Sequence, residues 1–212
     1  MTLNAEIASA RHVFEHAGID PIEAAADAEL LARSALRWDR ARLLASLSEP
    51  VPPGFRDAYA ALVARRQRRE PAAYIIGYRE FWSRDFEVGP GVLVPRPETE
   101  IIIEEALARL AGQMTASPSR GRQHHLLVAD VCTGSGCLAI TLALELPDAR
   151  LVATDTSHAA LQIAERNAMC HEVAGRIEFL ETNLLAQVDA CFDLIVSNPP
   201  YVPSSDMPHL PP

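Results

Sequence analysis

The residues best suited to chemistry lie where a short apolar strand turns into a helix. Residues 126–131 form the predicted strand, Cys132-Thr133-Gly134-Ser135-Gly136 form the glycine turn, and residues 138–146 form the helix. This arrangement exposes backbone N–H groups at the start of a helix. Asp155 ends a second predicted strand, 19 residues after Gly136, at the distance where a carboxylate can bind ribose hydroxyls. The spacing therefore predicts a nucleoside site.

The glycine turn and the basic residues narrow the choice of nucleoside. The turn lacks the G-x-G-x-x-G spacing of a dinucleotide site, which disfavours NAD. All 19 basic residues are arginine, and the absence of lysine excludes a phosphate-loop NTPase and a Schiff-base lysine. A ligand with an adenosine but no phosphates fits better, and S-adenosylmethionine is such a ligand.

A proline-rich segment follows the fourth predicted strand. Residues 192–197 form that strand and lead directly into Asn198-Pro199-Pro200-Tyr201. Proline pairs after a strand often form only a turn, and for this segment alone a turn and a binding site are equally good interpretations. With the glycine turn and Asp155 upstream, the context favours a binding site.

The second half of the chain alternates strands and helices, which is typical of an α/β fold with a parallel sheet. A helix at residues 157–169 and a third strand at residues 176–180 complete the pattern. We predict an incomplete Rossmann-like sheet with the strand order third, second, first, fourth, in which the fourth strand is an open edge. Residues 112–125 are predicted to form a loop.

The spacing of apolar residues in the first half of the chain predicts a small bundle of four short helices. Asp20 and Asp39 are predicted N-caps, and the fourth helix ends in the arginine cluster Arg65-Arg66-Gln67-Arg68-Arg69. We interpret this cluster as a solvated last turn that complements the helix dipole. A docking patch for an acidic or RNA-associated partner is the alternative. A β-hairpin at residues 80–88 follows, before a helix that opens at Pro95-Arg96-Pro97-Glu98-Thr99-Glu100.

Composition excludes several classes of protein. The net charge of −9 argues against broad phosphate neutralisation, so direct nucleic-acid binding is not expected. No apolar run reaches the roughly 18 residues of a membrane span, and no secretory signal is recognisable. The four cysteines contain no C-x-x-C pair, so we predict no metal site and read them as buried apolar residues in a reducing cytoplasm. His124 and His125 are interpreted as solvated linker residues.

The motifs at residues 130–136, Asp155 and residues 198–201 resemble those of class I S-adenosylmethionine methyltransferases. With Glu80-Phe81-Trp82 and residues 92–100 upstream, the chain resembles the HemK/PrmC family over almost its whole length. The resemblance implies methylation of the N5 amide nitrogen of the glutamine in the Gly-Gly-Gln motif of peptide chain release factors. Three alternatives stay open: the sister enzyme for a ribosomal-protein glutamine, an adenine-N6 nucleic-acid methyltransferase, and a fragment that binds the cofactor without turnover.

The resemblance also implies roles for individual residues. Asn198 and the carbonyl of Pro199 would accept the two hydrogens of the target amide, and Tyr201 would stack on its plane. A proline pair suits this role, because it fixes the backbone and leaves carbonyls without a local N–H partner. The implied catalytic residues are Asn198, Pro199 and Tyr201, and Pro200 joins them in binding the substrate. The implied cofactor-binding residues are Asp130, Cys132, Thr133, Gly134, Ser135, Gly136, Asp155, Asn183, Leu184 and Asn198.

The resemblance divides the chain into three segments. Residues 1–76 would be a helical substrate-recognition domain, residues 77–96 a β-hairpin linker, and residues 97–212 the methyltransferase domain. Family members continue with further strands and helices, so we expect the C-terminal part of that domain to be missing and part of the substrate-side wall with it. We expect a monomeric cytoplasmic protein with release factors as its partners and no membrane association.

Asn183 stands where the family usually has an acid that accepts the adenine amino group. An asparagine oxygen accepts the same hydrogen bond without the assistance of a charge. We therefore expect Asn183→Asp to tighten S-adenosylmethionine binding, measured by isothermal titration calorimetry. An unchanged or weaker affinity would contradict the placement of Asn183 beside the adenine.

Overall fold

The computed structural model describes residues 2–116 and 126–201. The chain divides after Gly77 into two compact units, which are described separately. The predicted hairpin belongs to the second unit. No helix in the described part of the chain has the length and apolar character needed to cross a bilayer.

The first unit packs its helices around an apolar core that includes Phe14, Leu31 and Tyr59. Its helices are α1 (Leu3–His16), α2 (Pro21–Leu36), α3 (Arg40–Ala45), α4 (Phe55–Gln67) and α5 (Ala72–Ile76). Asp20 caps α2 and Asp39 caps α3, and each side chain accepts a hydrogen bond from a backbone N–H of the first turn. The four predicted helices are confirmed, whereas α5 is too short to produce a periodic signal.

The interpretation of the arginine cluster as solvated is wrong for Arg66, which is only 5% exposed. Its Nε donates to Asp27 at 2.6 Å and its Nη2 donates to Glu23 at 2.7 Å. Arg65 pairs with Glu70 and holds the pKa of that carboxyl below its usual value. The sequence pattern could not reveal the buried pair, because both partners of Arg66 lie on α2 while Arg66 lies on α4.

The guanidinium of Arg66 compensates the buried carboxylate of Asp27. Removing one partner of a buried ion pair leaves the other charge poorly solvated, so Arg66→Ala should lower the free energy of unfolding by about 3 kcal/mol. Arg68→Ala, in the same cluster but exposed, should change it by less than about 0.5 kcal/mol. Urea denaturation followed by circular dichroism measures both. Equal effects of the two substitutions would contradict a structural role for Arg66.

The second unit combines a hairpin with a four-stranded parallel sheet. Its elements are β1 (Tyr78–Phe81), β2 (Arg84–Glu87), α6 (Glu100–Ala116), β3 (Leu127–Val131), α7 (Cys137–Glu145), β4 (Arg150–Asp155), α8 (His158–Cys170), β5 (Ile177–Glu181) and β6 (Leu194–Ser197). The sheet order is β5-β4-β3-β6, and every pair in it is parallel. This is the predicted order third, second, first, fourth, so the α/β fold class is confirmed.

Helix α7 is the centre of the layer that covers the sheet. It packs against β3, β4 and β5 and contacts α6 and α8 on either side. All its residues from Cys137 to Ala143 are buried, as expected of a helix that is surrounded by protein. The hairpin joins the same core through Phe81 and Phe86, whose rings pack edge to face with centroids 6.0 Å apart. A rigid α7 in turn fixes the end of the glycine turn that leads into it.

The predicted loop at residues 112–125 is wrong in its first part, because α6 continues to Ala116. Gly112 suggested a loop, but a single glycine costs a helix only about 1 kcal/mol and does not end it. The remainder of the predicted loop, including His124 and His125, lies outside the described residues.

Candidate active site

The carboxyl ends of β3, β4 and β6 bring three predicted segments to one edge of the sheet. Val131 of β3 pairs with Thr154 of β4 and with Ser197 of β6. Asp155 and Asn198, the next residues along, therefore flank the glycine turn on opposite sides. Since neighbouring strands lie about 5 Å apart, the two backbones are separated by roughly 10 Å. A ligand that crosses the turn would meet Asp155 at one end and Asn198 at the other.

The glycine turn is closely packed on one side and open on the other. Gly136 has a φ of +81°, and a Cβ there would lie 2.9 Å from Ile140 Cδ1 and 3.0 Å from Ala164 Cβ. Gly134 also has a positive φ, +56°, but a Cβ there would meet nothing within 4 Å. Gly136 therefore allows the turn to approach α7 and α8, whereas Gly134 leaves an open surface that a ligand could occupy. Cys132, which opens the turn, is half-buried with a φ of +62°.

Several backbone N–H groups of the turn are used within the protein. Thr133 N donates to the carbonyl of Thr154 at 2.9 Å, and Gly136 N donates to the carbonyl of Thr133 at 2.9 Å. Gly134 N donates to Asp155 Oδ2 at 3.0 Å. At these three positions the N–H groups already have acceptors, in contrast to the exposed N–H groups that the sequence predicts.

Asp155 is held beside the turn by both of its oxygens. Oδ2 accepts from Gly134 N, and Oδ1 accepts from Ser157 N at 2.9 Å, just before α8 begins. The residue is half-buried, and each carboxylate oxygen keeps a second lone pair. A fixed carboxylate with free acceptor sites at the strand end is suited to binding ribose hydroxyls.

Asp130 lies beneath the turn and is fully buried. Its Oδ2 accepts from the Thr133 hydroxyl at 2.6 Å and from Ala139 N at 3.0 Å, while no hydrogen-bond partner of Oδ1 is found among the described residues. Burial and, to a smaller extent, the nearby Asp155 raise the pKa of Asp130 to about 6, against the opposing effect of these two hydrogen bonds. Asp130 therefore connects the turn to the first part of α7 and keeps one free oxygen in the interior.

Asn167 of α8 is a buried polar residue that the sequence analysis did not identify. Its Nδ2 donates to the carbonyl of Ser135 at 2.8 Å and to the carbonyl of Glu87 at 3.0 Å. Its Oδ1 accepts from the backbone N–H of Glu87 at 2.7 Å. Asn167 therefore attaches both the buried Ser135 and strand β2 to α8. The sequence feature that could have identified Asn167 is a carboxamide on the apolar face of a helix, near Ala164 and Ala168.

Asn183 and Leu184 lie beyond the end of β5, next to β4. Glu181 pairs with Asp155 in the sheet, so Asn183 is two residues past the strand ends. Both Asn183 and Leu184 are exposed, and the carbonyl of Asn183 accepts from Ala186 N at 3.1 Å. Their side chains are thus available to a ligand that extends past Asp155, and their predicted role in binding adenine stays a prediction.

The carboxamide of Asn198 has a hydrogen bond at each end. Its Nδ2 donates to Thr99 Oγ1 at 3.2 Å, and its Oδ1 accepts from the hydroxyl of Tyr201 at 2.5 Å. Thr99 is only 6% exposed, whereas Tyr201 is 76% exposed. Pro199 is half-buried and Pro200 is exposed. The nitrogen of the carboxamide therefore points into the protein and its oxygen points towards solvent.

The segment that carries Thr99 is anchored to the hairpin. The carboxylate of Glu100 accepts from Trp82 N at 2.8 Å, in the turn between β1 and β2. Trp82 and Ser83 both have positive φ there, a conformation of two-residue hairpin turns. Residues 95–100 belong to the motifs that carry the family resemblance, and in the structure this segment makes one contact to the hairpin and one to Asn198.

Asp130 should make stability depend on pH in a defined direction. Its pKa is raised from 3.8 to about 6, so the folded state binds the proton more tightly than the unfolded chain. The ionised form therefore destabilises the folded state as pH rises through this range. Asp130→Asn cannot ionise, and its free energy of unfolding relative to the original chain should increase between pH 4 and pH 7 by up to about 3 kcal/mol.

Urea denaturation at several pH values measures this difference. Glu178→Gln, at an exposed position on β5, is the matched control and should show a constant difference across the range. A constant difference for Asp130→Asn as well would contradict the raised pKa of Asp130.

Two family models match this chain. The model described as PrmC N-terminal domain matches residues 7–77, and the model described as Methyltransferase small domain matches residues 111–208. The first match falls on the helical unit and the second on the sheet with its glycine turn and Asn198. Together they confirm the resemblance that the motifs indicated.

Curated relatives match this chain over most of its length. The release factor glutamine methyltransferase of Geobacter sulfurreducens is 42% identical over 187 residues, covering 88% of this chain and 61% of that protein. The release factor glutamine methyltransferase of Xylella fastidiosa (strain Temecula1) is 45% identical over 185 residues, covering 87% of this chain and 63% of that protein. The chain thus spans slightly more than three fifths of the length of these relatives.

Among solved structures, the ribosomal protein L11 methylase from Lactobacillus delbrueckii subsp. bulgaricus aligns with 35% identity and a TM-score of 0.38. This alignment covers 48% of this chain and 46% of that chain. The family models and the curated relatives agree over most of the sequence. The chain therefore carries a PrmC N-terminal domain followed by a methyltransferase small domain, the combination expected from its resemblance to the HemK/PrmC family.

Proposed function

We propose that this protein transfers a methyl group from S-adenosylmethionine to the N5 amide nitrogen of the glutamine in the Gly-Gly-Gln motif of peptide chain release factors. The observation that carries the proposal is the arrangement of Asp155, the glycine turn and Asn198 along one edge of the sheet. The names of the curated relatives support the same substrate. The proposal locates the protein in the cytoplasm with its substrate.

The residues present fit S-adenosylmethionine. The open side of Gly134 leaves room for a ligand against the glycine turn. Asp155 keeps two acceptor lone pairs for ribose hydroxyls, and Asn183 and Leu184 are exposed on the adjacent side. When bound, S-adenosylmethionine supplies an electrophilic methyl group on a positively charged sulfur. No phosphate-binding lysine is required, which agrees with the absence of lysine.

Methyl transfer to the target amide depends on the orientation of its nitrogen more than on a general base. An amide nitrogen is a poor nucleophile because its lone pair is delocalised into the carbonyl. Asn198 Oδ1 and the carbonyl of Pro199 would accept its two hydrogens and hold the nitrogen in line with the methyl group. The Tyr201 hydroxyl donates to Asn198 Oδ1, so the target amide would replace it as donor. The Tyr201 ring is then free to lie against the plane of the amide.

In this proposal, residues 1–76 recognise the release factor. This segment coincides with the PrmC N-terminal domain match. It has its own apolar core and its own buried ion pair at Arg66, so it can present a rigid surface. The hairpin of the predicted linker, residues 77–96, packs in the core of the second unit, and residues from 97 onward would hold the cofactor and the target amide.

The proposal is tested by incubating the chain with S-adenosylmethionine that carries a radiolabelled methyl group. Three acceptors are compared: a purified release factor, a ribosomal protein with a methylatable glutamine, and adenine-containing DNA. We expect label on the release factor, and none on a release factor whose Gly-Gly-Gln glutamine is replaced by alanine. Label on either other acceptor alone, or on none, would contradict the proposal.

Two variants check that the label depends on the described site. Asp155→Asn removes a charged acceptor and should weaken S-adenosylmethionine binding by about tenfold or more, measured by calorimetry. Glu178→Gln makes the same chemical change at an exposed position of the same sheet and should leave binding unchanged. Equal S-adenosylmethionine affinity of the two variants would contradict the role of Asp155 in binding the cofactor.

A further inference from the structure

We propose that Asn167 is a positioning residue that fixes the orientation of the Ser135–Gly136 peptide in the glycine turn, and with it the affinity for S-adenosylmethionine. The proposal rests on the proposed function, because it concerns the same cofactor. Asn167 lies on α8 and is 3% exposed, and its Nδ2 donates to the carbonyl of Ser135 at 2.8 Å. Both ends of its carboxamide are bonded to backbone groups, so Asn167 would act on a cofactor only through the turn.

The orientation of the Asn167 carboxamide is fixed by backbone groups that each have a single hydrogen-bonding character. The N–H of Glu87 can only donate, and Asn167 Oδ1 accepts from it at 2.7 Å. The carbonyls of Ser135 and Glu87 can only accept, and Asn167 Nδ2 donates to them at 2.8 and 3.0 Å. A rotation of the carboxamide by 180° would oppose donor to donor at the first contact and acceptor to acceptor at the other two. Asn167 therefore presents a fixed donor to the turn.

The glycine turn needs such a donor because its sequence does not fix the planes of its own peptides. Gly136 has a φ of +81° here, but glycine adopts a negative φ about as readily. The Ser135–Gly136 peptide could therefore reverse, which would exchange the directions of the Ser135 carbonyl and the Gly136 N–H. Two contacts oppose this reversal: Asn167 Nδ2 holds the carbonyl, and the carbonyl of Thr133 accepts from Gly136 N at 2.9 Å.

The donor of Asn167 determines what fraction of the molecules has the turn in this single conformation. Without it, the carbonyl of Ser135, a residue that is 2% exposed, would lose its partner. A buried carbonyl without a hydrogen bond is unfavourable, so the peptide would populate reversed conformations that relieve it. A ligand that binds one conformation then loses apparent affinity as the population of that conformation falls. Saturating ligand selects the productive conformation again, so the chemical step itself should not change.

The first test compares Asn167→Ala with Arg166→Ala. Arg166 is the matched control, because it precedes Asn167 on α8 and its guanidinium binds the side chain of Glu87, at 2.7 Å, rather than the turn. We expect Asn167→Ala to raise the KM for S-adenosylmethionine about fivefold or more, with kcat at saturating cofactor within about twofold of the original value. Arg166→Ala should leave both constants unchanged. A lower kcat with an unchanged KM would indicate a general loss of structure and would overturn the proposal.

A second variant separates the donor from the rest of the side chain. Asn167→Asp keeps the shape and the acceptor for the N–H of Glu87, but an ionised carboxylate has no donor for the carbonyl of Ser135. Its affinity for S-adenosylmethionine, measured by isothermal titration calorimetry, should fall at least as far as that of Asn167→Ala. An affinity equal to that of the original chain would show that the donor is not required, which would overturn the proposal.

A third measurement needs no cofactor. The N–H of Gly136 is bonded to the carbonyl of Thr133 only while the Ser135–Gly136 peptide keeps its orientation. Hydrogen exchange of this N–H, followed by NMR without added cofactor, should be slow in the original chain and in Arg166→Ala. It should be about fivefold faster or more in Asn167→Ala. Fast exchange in the original chain, or equal exchange in all three proteins, would overturn the proposal.

These measurements separate the positioning role from the proposed function. If no release factor is methylated, the proposed function fails, and the exchange of the Gly136 N–H and the calorimetric affinities still support or overturn the role of Asn167. If a release factor is methylated and Asn167→Ala has the KM of the original chain, the positioning role is overturned and the proposed function stands.

Discussion

The parallel pairing of β3 with both β4 and β6 is the constraint on which the candidate site depends. Because the pairing is in register, the residues after Val131, Thr154 and Ser197 emerge side by side at one edge of the sheet. The backbone hydrogen bonds of the sheet hold these positions in register. The glycine turn, Asp155 and Asn198 are thus neighbours without any direct bond between the two outer residues.

Buried polar side chains then attach the loops to this edge. Asp130 connects the glycine turn to α7, and Asn167 connects the turn and strand β2 to α8. Each lies in the apolar core, where an unsatisfied polar group would cost about 1–3 kcal/mol. These hydrogen bonds therefore specify one arrangement of the loops, since an alternative arrangement would leave the groups unpaired. Of the side-chain polar atoms of Asp130 and Asn167, only Asp130 Oδ1 has no hydrogen-bond partner among the described residues.

Much of the fold and the edge of the site could be predicted from local signals. The caps Asp20 and Asp39, the alternation of strands and helices, and the glycine turn each act over a few residues. The contacts that were missed join distant segments, as with Arg66 and Asp27 or Asn198 and Thr99. Local periodicity carries no information on such pairs. A charged or carboxamide residue in an apolar pattern marks one partner only, and the fold is needed to identify the other.

Asn167 and Asn198, two of the three asparagines of the second unit, use the same carboxamide group in different ways. Asn167 uses both ends of its carboxamide on backbone groups of the protein, so nothing is left for a ligand. Asn198 uses its nitrogen on the buried Thr99, and its oxygen accepts from the hydroxyl of the exposed Tyr201. Replacing that hydroxyl with an amide N–H exchanges one hydrogen bond for another at little net cost. An aspartate at position 198 could accept hydrogen bonds at both ends, but its charge would require compensation in a half-buried position. A neutral carboxamide at position 198 therefore keeps its nitrogen hydrogen-bonded to the buried Thr99, while its oxygen stays accessible to a ligand.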